Sequence, residues 1–121
     1  MHRTAVLRNL TTGQTIASRV VRCDNFWRRG RGLMFRTSLP QDEVYLFIEG
    51  RESVVQTAIH MFFVFFAIGV VWLDGDKRVV DKALARPFRL YYAPSSPAQY
   101  YVEGRPAILE HVRPGDLLEF D

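Results

Sequence analysis

From Ile59 to Asp74 the chain reads Ile-His-Met-Phe-Phe-Val-Phe-Phe-Ala-Ile-Gly-Val-Val-Trp-Leu-Asp, with no charge between Met61 and Leu73. Burying each large side chain of this run is worth roughly 1.5–3 kcal/mol, so the run anchors the core. It is too short to span a bilayer as a helix, which takes about 20 apolar residues. As one strand it would reach roughly 43 Å at about 3.3 Å per residue, too long for a small domain. Its Phe, Val, Ile and Trp content favours strand over helix. The pattern therefore predicts an extended segment led by His60, a break near Ala67–Gly69 and a buried strand Val70–Leu73. Phe63, Phe65 and Val71 are expected to be buried.

Elsewhere the apolar and polar positions predict short strands with turn residues between them. Thr4–Leu10 and Thr15–Arg22 flank Thr11-Thr12-Gly13-Gln14 as a hairpin, with Cys23 at its exit. Asp24 is placed to cap a short helix over Asn25–Arg31. Val44–Glu49 reads as a strand, Gly50-Arg51-Glu52 as a turn and Ser53–Ile59 as a strand. Asp74-Gly75-Asp76-Lys77 is a hairpin turn in which Asp-Gly would supply the positive φ angles, and Arg78–Leu84 returns antiparallel. Gln99–Glu103 is a strand, Pro106–His111 a short helix with proline early, Arg113–Asp116 a turn and Leu117–Phe120 a closing strand. The expected fold is α+β, mainly β. It is one compact domain over residues 1–121, with antiparallel strands curled into a barrel-like sheet and two short helices.

Composition adds bounds. The 121 residues suffice for a single core. One cysteine excludes an internal disulfide and a Cys-rich zinc site, and the three histidines lack metal-ligand spacing, so no metal is expected. The start, Met1-His2-Arg3-Thr4, has no continuous apolar region, which makes the cytoplasm the expected compartment. Residues 1–41 carry eight arginines and one acid, Asp24; residues 42–121 carry eight bases and twelve acids. This imbalance fits a basic face for an anionic partner. It fits better with the two parts pairing across one surface.

Three blocks resemble a known family: Arg31-Gly32-Leu33-Met34-Phe35-Arg36 with Leu39-Pro40 and Asp42-Glu43; the run Ile59–Asp74; and Val112-Arg113-Pro114-Gly115-Asp116 with Leu118-Glu119-Phe120. In this order they resemble the DUF192 family of small prokaryotic proteins of unknown function, over about Thr15 to Phe120. The resemblance implies a compact, mainly β fold and a bacterial, cytoplasmic protein, with no established activity, cofactor or catalytic residue. Family members typically read Pro-Ile-Asp where this chain has Ala67-Ile68-Gly69. If the Asp served catalysis or a metal it is lost here; if it shaped a bend, Gly69 replaces it by flexibility.

His60 is the best candidate for acid–base work, with Glu43 as an acidic partner in an enzymatic alternative. A histidine capping backbone at a strand junction weighs more. Cys23 reads as a small buried hydrophobe rather than a reactive thiol. Arg28, Arg29, Arg31 and Arg36 alternate with Phe26, Trp27 and Phe35. This pattern suits weak nucleic-acid binding, but no recognition motif accompanies it, so nucleic acid is not the expected partner. Tyr91, Tyr92, Tyr100 and Tyr101 should alternate in and out, leaving two rings to line a groove. The leading reading is a non-enzymatic binding or accessory domain for a small molecule or protein. Its shallow site combines Arg31, Gly32, Met34 and Arg36 with His60, Met61, Tyr92 and Tyr100, the first group meeting His60-Met61 in space.

Overall fold

The computed structural model describes residues 6–23, 39–61, 64–89 and 91–120. Among these residues eight strands follow in order: β1 Leu7–Asn9, β2 Gln14–Ala17, β3 Arg19–Cys23, β4 Glu43–Ser53, β5 Ile68–Leu73, β6 Val79–Ala85, β7 Ala98–Gly104 and β8 Leu118–Glu119, with a 3₁₀ helix at Pro106–His111 before β8. They form two sheets, β2-β1-β8 and β3-β4-β7-β5-β6.

The mainly β single domain stands; the barrel and the uniformly antiparallel pairing do not. At Ser18 the predicted strand Thr15–Arg22 divides, its first half joining the small sheet and its second the large one. The large sheet is open, with β3 and β6 at opposite edges. β3 pairs with β4 in parallel, Val20 beside Val44 and Cys23 beside Phe47. Parallel neighbours need a crossover of a dozen residues or more, which residues 24–42 provide. Among the described residues there is one helix, Pro106–His111, and it is 3₁₀. The helix expected over Asn25–Arg31 lies outside them.

Both faces of the large sheet are covered, which is why β5 is buried at every position instead of alternating. On one face Val44, Leu46, Val71 and Val102 pack against Leu7 and Ile16 of the small sheet and against Ile108 and Val112. On the other, Phe47, Val70, Trp72 and Tyr101 pack against Ile59, Met61 and Val64. The Trp72 indole N–H donates to the Thr57 carbonyl at 2.7 Å, tying this second cover to the sheet.

Several expectations shift in detail. Gly50-Arg51-Glu52 is no turn: β4 runs through to Ser53, with a register irregularity after Ile48. The chain reverses later, where the Thr57 hydroxyl donates to the Ser53 carbonyl at 2.6 Å. Beyond Ser53, which ends β4, Ile59 alone of residues 54–59 makes a bridge, to Tyr92. The Asp74–Lys77 hairpin forms, but its left-handed residue is Lys77 (φ 69°). Gly75 instead lets Gln99 and Glu52 approach, its N–H donating to Glu52 Oε2 at 2.7 Å.

The run His60–Leu73 is not one helix, and Val71 is buried, but Phe65 is half exposed. The Val64 N–H turns back to the Met61 carbonyl, which sends Val64 inward and its neighbour outward. Phe63 lies outside the described residues.

Gly69 does not make a bend. It sits within β5 directly opposite Gly104 of β7, and together they leave a patch of sheet without side chains on which the 3₁₀ helix lies. A Cβ on Gly69 would come within 3.0 Å of Ile108 Cγ1 and Leu109 Cγ and 3.1 Å of the Arg105 carbonyl oxygen. One on Gly104 would lie 2.9 Å from Val44 Cγ1. Gly69→Ala and Gly104→Ala are each expected to destabilise the fold by about 1–3 kcal/mol through overpacking. Gly50→Ala, whose Cβ meets nothing within 4 Å, should change stability by less than about 0.5 kcal/mol. Denaturant titrations of the three variants check this; equal stabilities would refute the notch.

Candidate functional site

The cover of the second face is built from two irregular segments that run antiparallel. Ile59 and Tyr92 exchange backbone hydrogen bonds at 2.8 and 2.9 Å, and the Met61 N–H donates to the Arg89 carbonyl at 2.8 Å. Alternation follows from this pairing. Ile59 and Met61 point into the core, at 7% and 1% exposure, and His60 is exposed. Met61 is thus sealed inside, where its side chain packs the core.

Next to this pairing, Arg86-Pro87-Phe88-Arg89 makes a tight turn, with proline second and a positive φ of 63° at Phe88 third. This is the pattern of a type II turn, whose third position ordinarily takes glycine. A bulky L-residue there costs about 1–2 kcal/mol of backbone strain. The position is held by the Phe88 N–H donating to the Met61 carbonyl at 2.9 Å, and by the Arg86 N–H donating to the Tyr92 hydroxyl at 2.9 Å. The strained residue carries a ring that is 48% exposed, set against the 50% exposed ring of Phe65 with centroids 5.5 Å apart and planes at 58°. Tyr91 is exposed beside them in sequence, as are Arg86 and Arg89. We refer to this surface as the aromatic shelf.

The shelf is also poor in negative charge. Its two segments lie in stretches without a single acid, residues 53–73 and 82–102. Of the three bases in the second stretch, Lys82 is committed elsewhere, its ammonium donating to the carbonyls of Leu109 and Val112 at 2.7 and 2.9 Å.

A concavity of about 650 Å³ lies elsewhere, between β2, the start of β4 and the 3₁₀ helix, with Ile16, Ala17, Val44 and Ile108 among its apolar lining and Asp42, Glu43, Arg105 and His111 among its polar residues. Three of those polar groups serve the fold. Asp42 accepts from both the backbone N–H and the hydroxyl of Ser18. Glu43 is paired with Arg19 at 3.1 Å, and Arg105 donates twice to the Leu39 carbonyl, at 3.1 and 2.8 Å.

The structure brings together His60, the Met61 backbone and Tyr92, but not Tyr100. Tyr100 and Tyr101 do alternate, yet both faces of the sheet are covered. Tyr100 packs edge-on to Phe120 at 5.3 Å in one core, and Tyr101 stacks on Phe47 at 4.6 Å in the other. Cys23 is buried. Arg31, Gly32, Met34 and Arg36 lie outside the described residues, as do Phe26 and Trp27. The Pro-Gly-Asp block is structural: Asp116 Oδ2 accepts from Asn9 Nδ2 at 2.8 Å and from the Arg113 N–H at 2.9 Å, and Asn9 also donates to the His111 carbonyl. Sequence reasoning missed Phe65 and Phe88 as surface residues. The available signal was Arg86-Pro87-Phe88-Arg89, a proline turn with an aromatic residue in the glycine position and no acid nearby. Among the described residues no group of three His, Cys, Asp or Glu side chains converges to hold a metal, and no helix is long and apolar enough to cross a membrane.

Comparison with known proteins places this geometry in context. The profile of DUF192, described as an uncharacterized ACR, matches residues 7–120. A UPF0127 protein of Pyrococcus furiosus is 39% identical over 115 residues, covering 93% of this chain and 96% of its own. One from Thermococcus kodakarensis is 36% identical over 114 residues, covering 93% of this chain and 71% of its own. Both organisms are archaea, so a bacterial assignment is not supported. Among solved structures, a protein of unknown function from Novosphingobium aromaticivorans superimposes with a TM-score of 0.81 at 19% identity, covering 98% of this chain and 84% of its own. A Sinorhizobium meliloti protein, described as a candidate transcription regulator, gives 0.83 at 21% identity, covering 98% and 95%. At these identities the likeness is one of fold alone.

One buried acid stands apart from both surfaces. Glu103 lies between Tyr45 and Val70 as cross-strand neighbours, and desolvation by burial raises its pKa to about 8. Because the folded value lies above the ordinary 4.5, the folded state holds the proton more tightly. Stability should therefore fall as pH rises from about 4.5 towards 8. Glu103→Gln is expected to raise the melting temperature more at pH 8 than at pH 5 and to flatten the pH dependence. A variant whose melting curve parallels the wild type across that range would contradict this.

Proposed function

The chain belongs to the DUF192 family, and from that premise we propose that it acts as a binding module whose site is the aromatic shelf. The observation that carries the proposal is the backbone strain at Phe88, which holds a half-exposed ring against the equally exposed Phe65. Strain of this kind persists where surrounding bonds over-determine it, and it clusters at ligand sites. Exposed aromatic groups gathered at one place likewise mark interaction surfaces. Exposed His60, between the paired Ile59 and Met61, and Tyr92, which pairs with Ile59, are the part of the sequence-predicted constellation at this site.

Geometry favours binding over catalysis. An enzyme built on His60 with Glu43 would need that carboxylate as an orienting partner, and Glu43 is engaged by Arg19. The concavity beside the 3₁₀ helix is the weaker site, since Asp42, Glu43 and Arg105 are all used to hold chain segments together.

An unbiased screen by thermal shift and co-purified mass spectrometry tests the reading. Ligands found on the wild type should bind at least about tenfold more weakly to Phe65→Ala and Phe88→Ala, about 1.4 kcal/mol or more, and equally well to Ala107→Trp, which fills the concavity beside the 3₁₀ helix. The reverse pattern would overturn the proposal. Strain also makes a prediction of its own: Phe88→Gly relieves the backbone and loses only a half-buried ring, so its stability should lie within about 1 kcal/mol of wild type.

A further inference from the structure

We infer that the shelf takes a single-stranded nucleic acid, with bases stacking on Phe65 and Phe88 and phosphates met by Arg86 and Arg89. The inference rests on the shelf being a binding site and adds the class of ligand. Three observations select it. First, the exposed large apolar side chains gathered here are aromatic, and every base offers a face to such a ring, worth about 1–3 kcal/mol per base. Second, the rings already touch each other at 5.5 Å and are tilted by 58°. No base fits between them, so each offers its outer face to a separate base, which requires the bases to be unstacked. Third, Arg86 and Arg89 flank Phe88 in one exposed turn, and the segments carrying the site contain no acid from residue 53 to 73 or from 82 to 102. A polyanion therefore meets two arginines here and no acid within either of these stretches of chain.

A duplex fits poorly, because its bases are stacked and its ring faces hidden. A bilayer is also a weaker match, since a surface that enters lipid presents a broad stripe of apolar residues along a helix, and this is a compact, braced turn. The sequence-based expectation against nucleic acid weighed the basic residues 1–41 and the absence of a recognition motif. The acid-free aromatic turn is a separate feature, far along the chain from those residues.

The test is fluorescence anisotropy with a labelled oligo-dT of about fifteen nucleotides, the matching oligo-rU and a duplex of the same length, at low and physiological salt. Saturable binding of the single strands in preference to the duplex is expected, weakening as salt rises. Phe65→Ala and Phe88→Ala should each weaken it by about 5–150-fold. Arg86→Ala and Arg89→Ala should each make the salt dependence shallower. Phe65→Leu keeps the apolar contact without the aromatic face and should bind as weakly as Phe65→Ala, which preserves the test if the alanine variant folds poorly. No single-strand binding at low salt, binding indifferent to loss of the rings, or preference for polyglutamate or for phosphatidylserine vesicles would overturn the inference. In those cases a ligand from the unbiased screen that still depends on Phe65 would leave the shelf standing as a site for other chemistry, whereas ligands indifferent to Phe65 would remove both readings.

Discussion

Two glycines facing each other on neighbouring strands set the distance at which this protein closes on itself. Gly69 and Gly104 clear the sheet so that Ile108 and Leu109 rest against backbone. From that seat the end of the helix is fastened by Lys82, which reaches the carbonyls of Leu109 and Val112. The chain then passes into the turn where Asp116 holds Asn9 of β1. The small sheet, the helix and one face of the large sheet thus share a single core. A side chain at either glycine would lift the helix and loosen contacts far along the chain.

The opposite face is closed by different means. No regular sheet covers the second core among the described residues; paired irregular segments around Ile59–Met61 and Arg89–Tyr92 do so. Irregular backbone has to satisfy its polar groups locally, and the carbonyl of Met61 accepts from both Val64 and Phe88. Those two bonds turn Val64 inward and hold Phe88 in its left-handed conformation. The aromatic shelf is thus the outer surface of the same construction that buries Met61. The proposed binding surface and the seal over the core are one piece of chain.

How far the sequence revealed this depended on whether the deciding interaction was local. The Asp74–Lys77 hairpin, the short helix after Pro106 and the buried strand ending at Leu73 follow from neighbouring residues, and they form. Gly50 looked like a turn because glycine ends strands as readily as it interrupts them, and only the pairing with β7 shows that β4 continues. The division at Ser18 and the parallel β3–β4 pair depend on contacts between distant segments. Tyr100 alternates as expected but meets a second cover that no periodicity announces. An unbroken apolar run hides which of its residues turns outward, so the sequence alone places Phe65 in the core. At the shelf the sequence points to His60 and Tyr92, whereas the residue that shapes the surface, Phe88, stands out only through its backbone angle. The Arg31–Arg36 block falls outside the described residues.

The central claim is that this surface, and not the concavity beside the 3₁₀ helix, is where the protein takes up a single-stranded nucleic acid. Mapping amide chemical-shift changes while oligo-dT is added to the isotopically labelled protein tests that claim residue by residue. The account predicts shifts concentrated at His60–Phe66 and Arg86–Tyr92, saturating together. Shifts concentrated at Ile16, Asp42 and His111, or absent throughout, would contradict it.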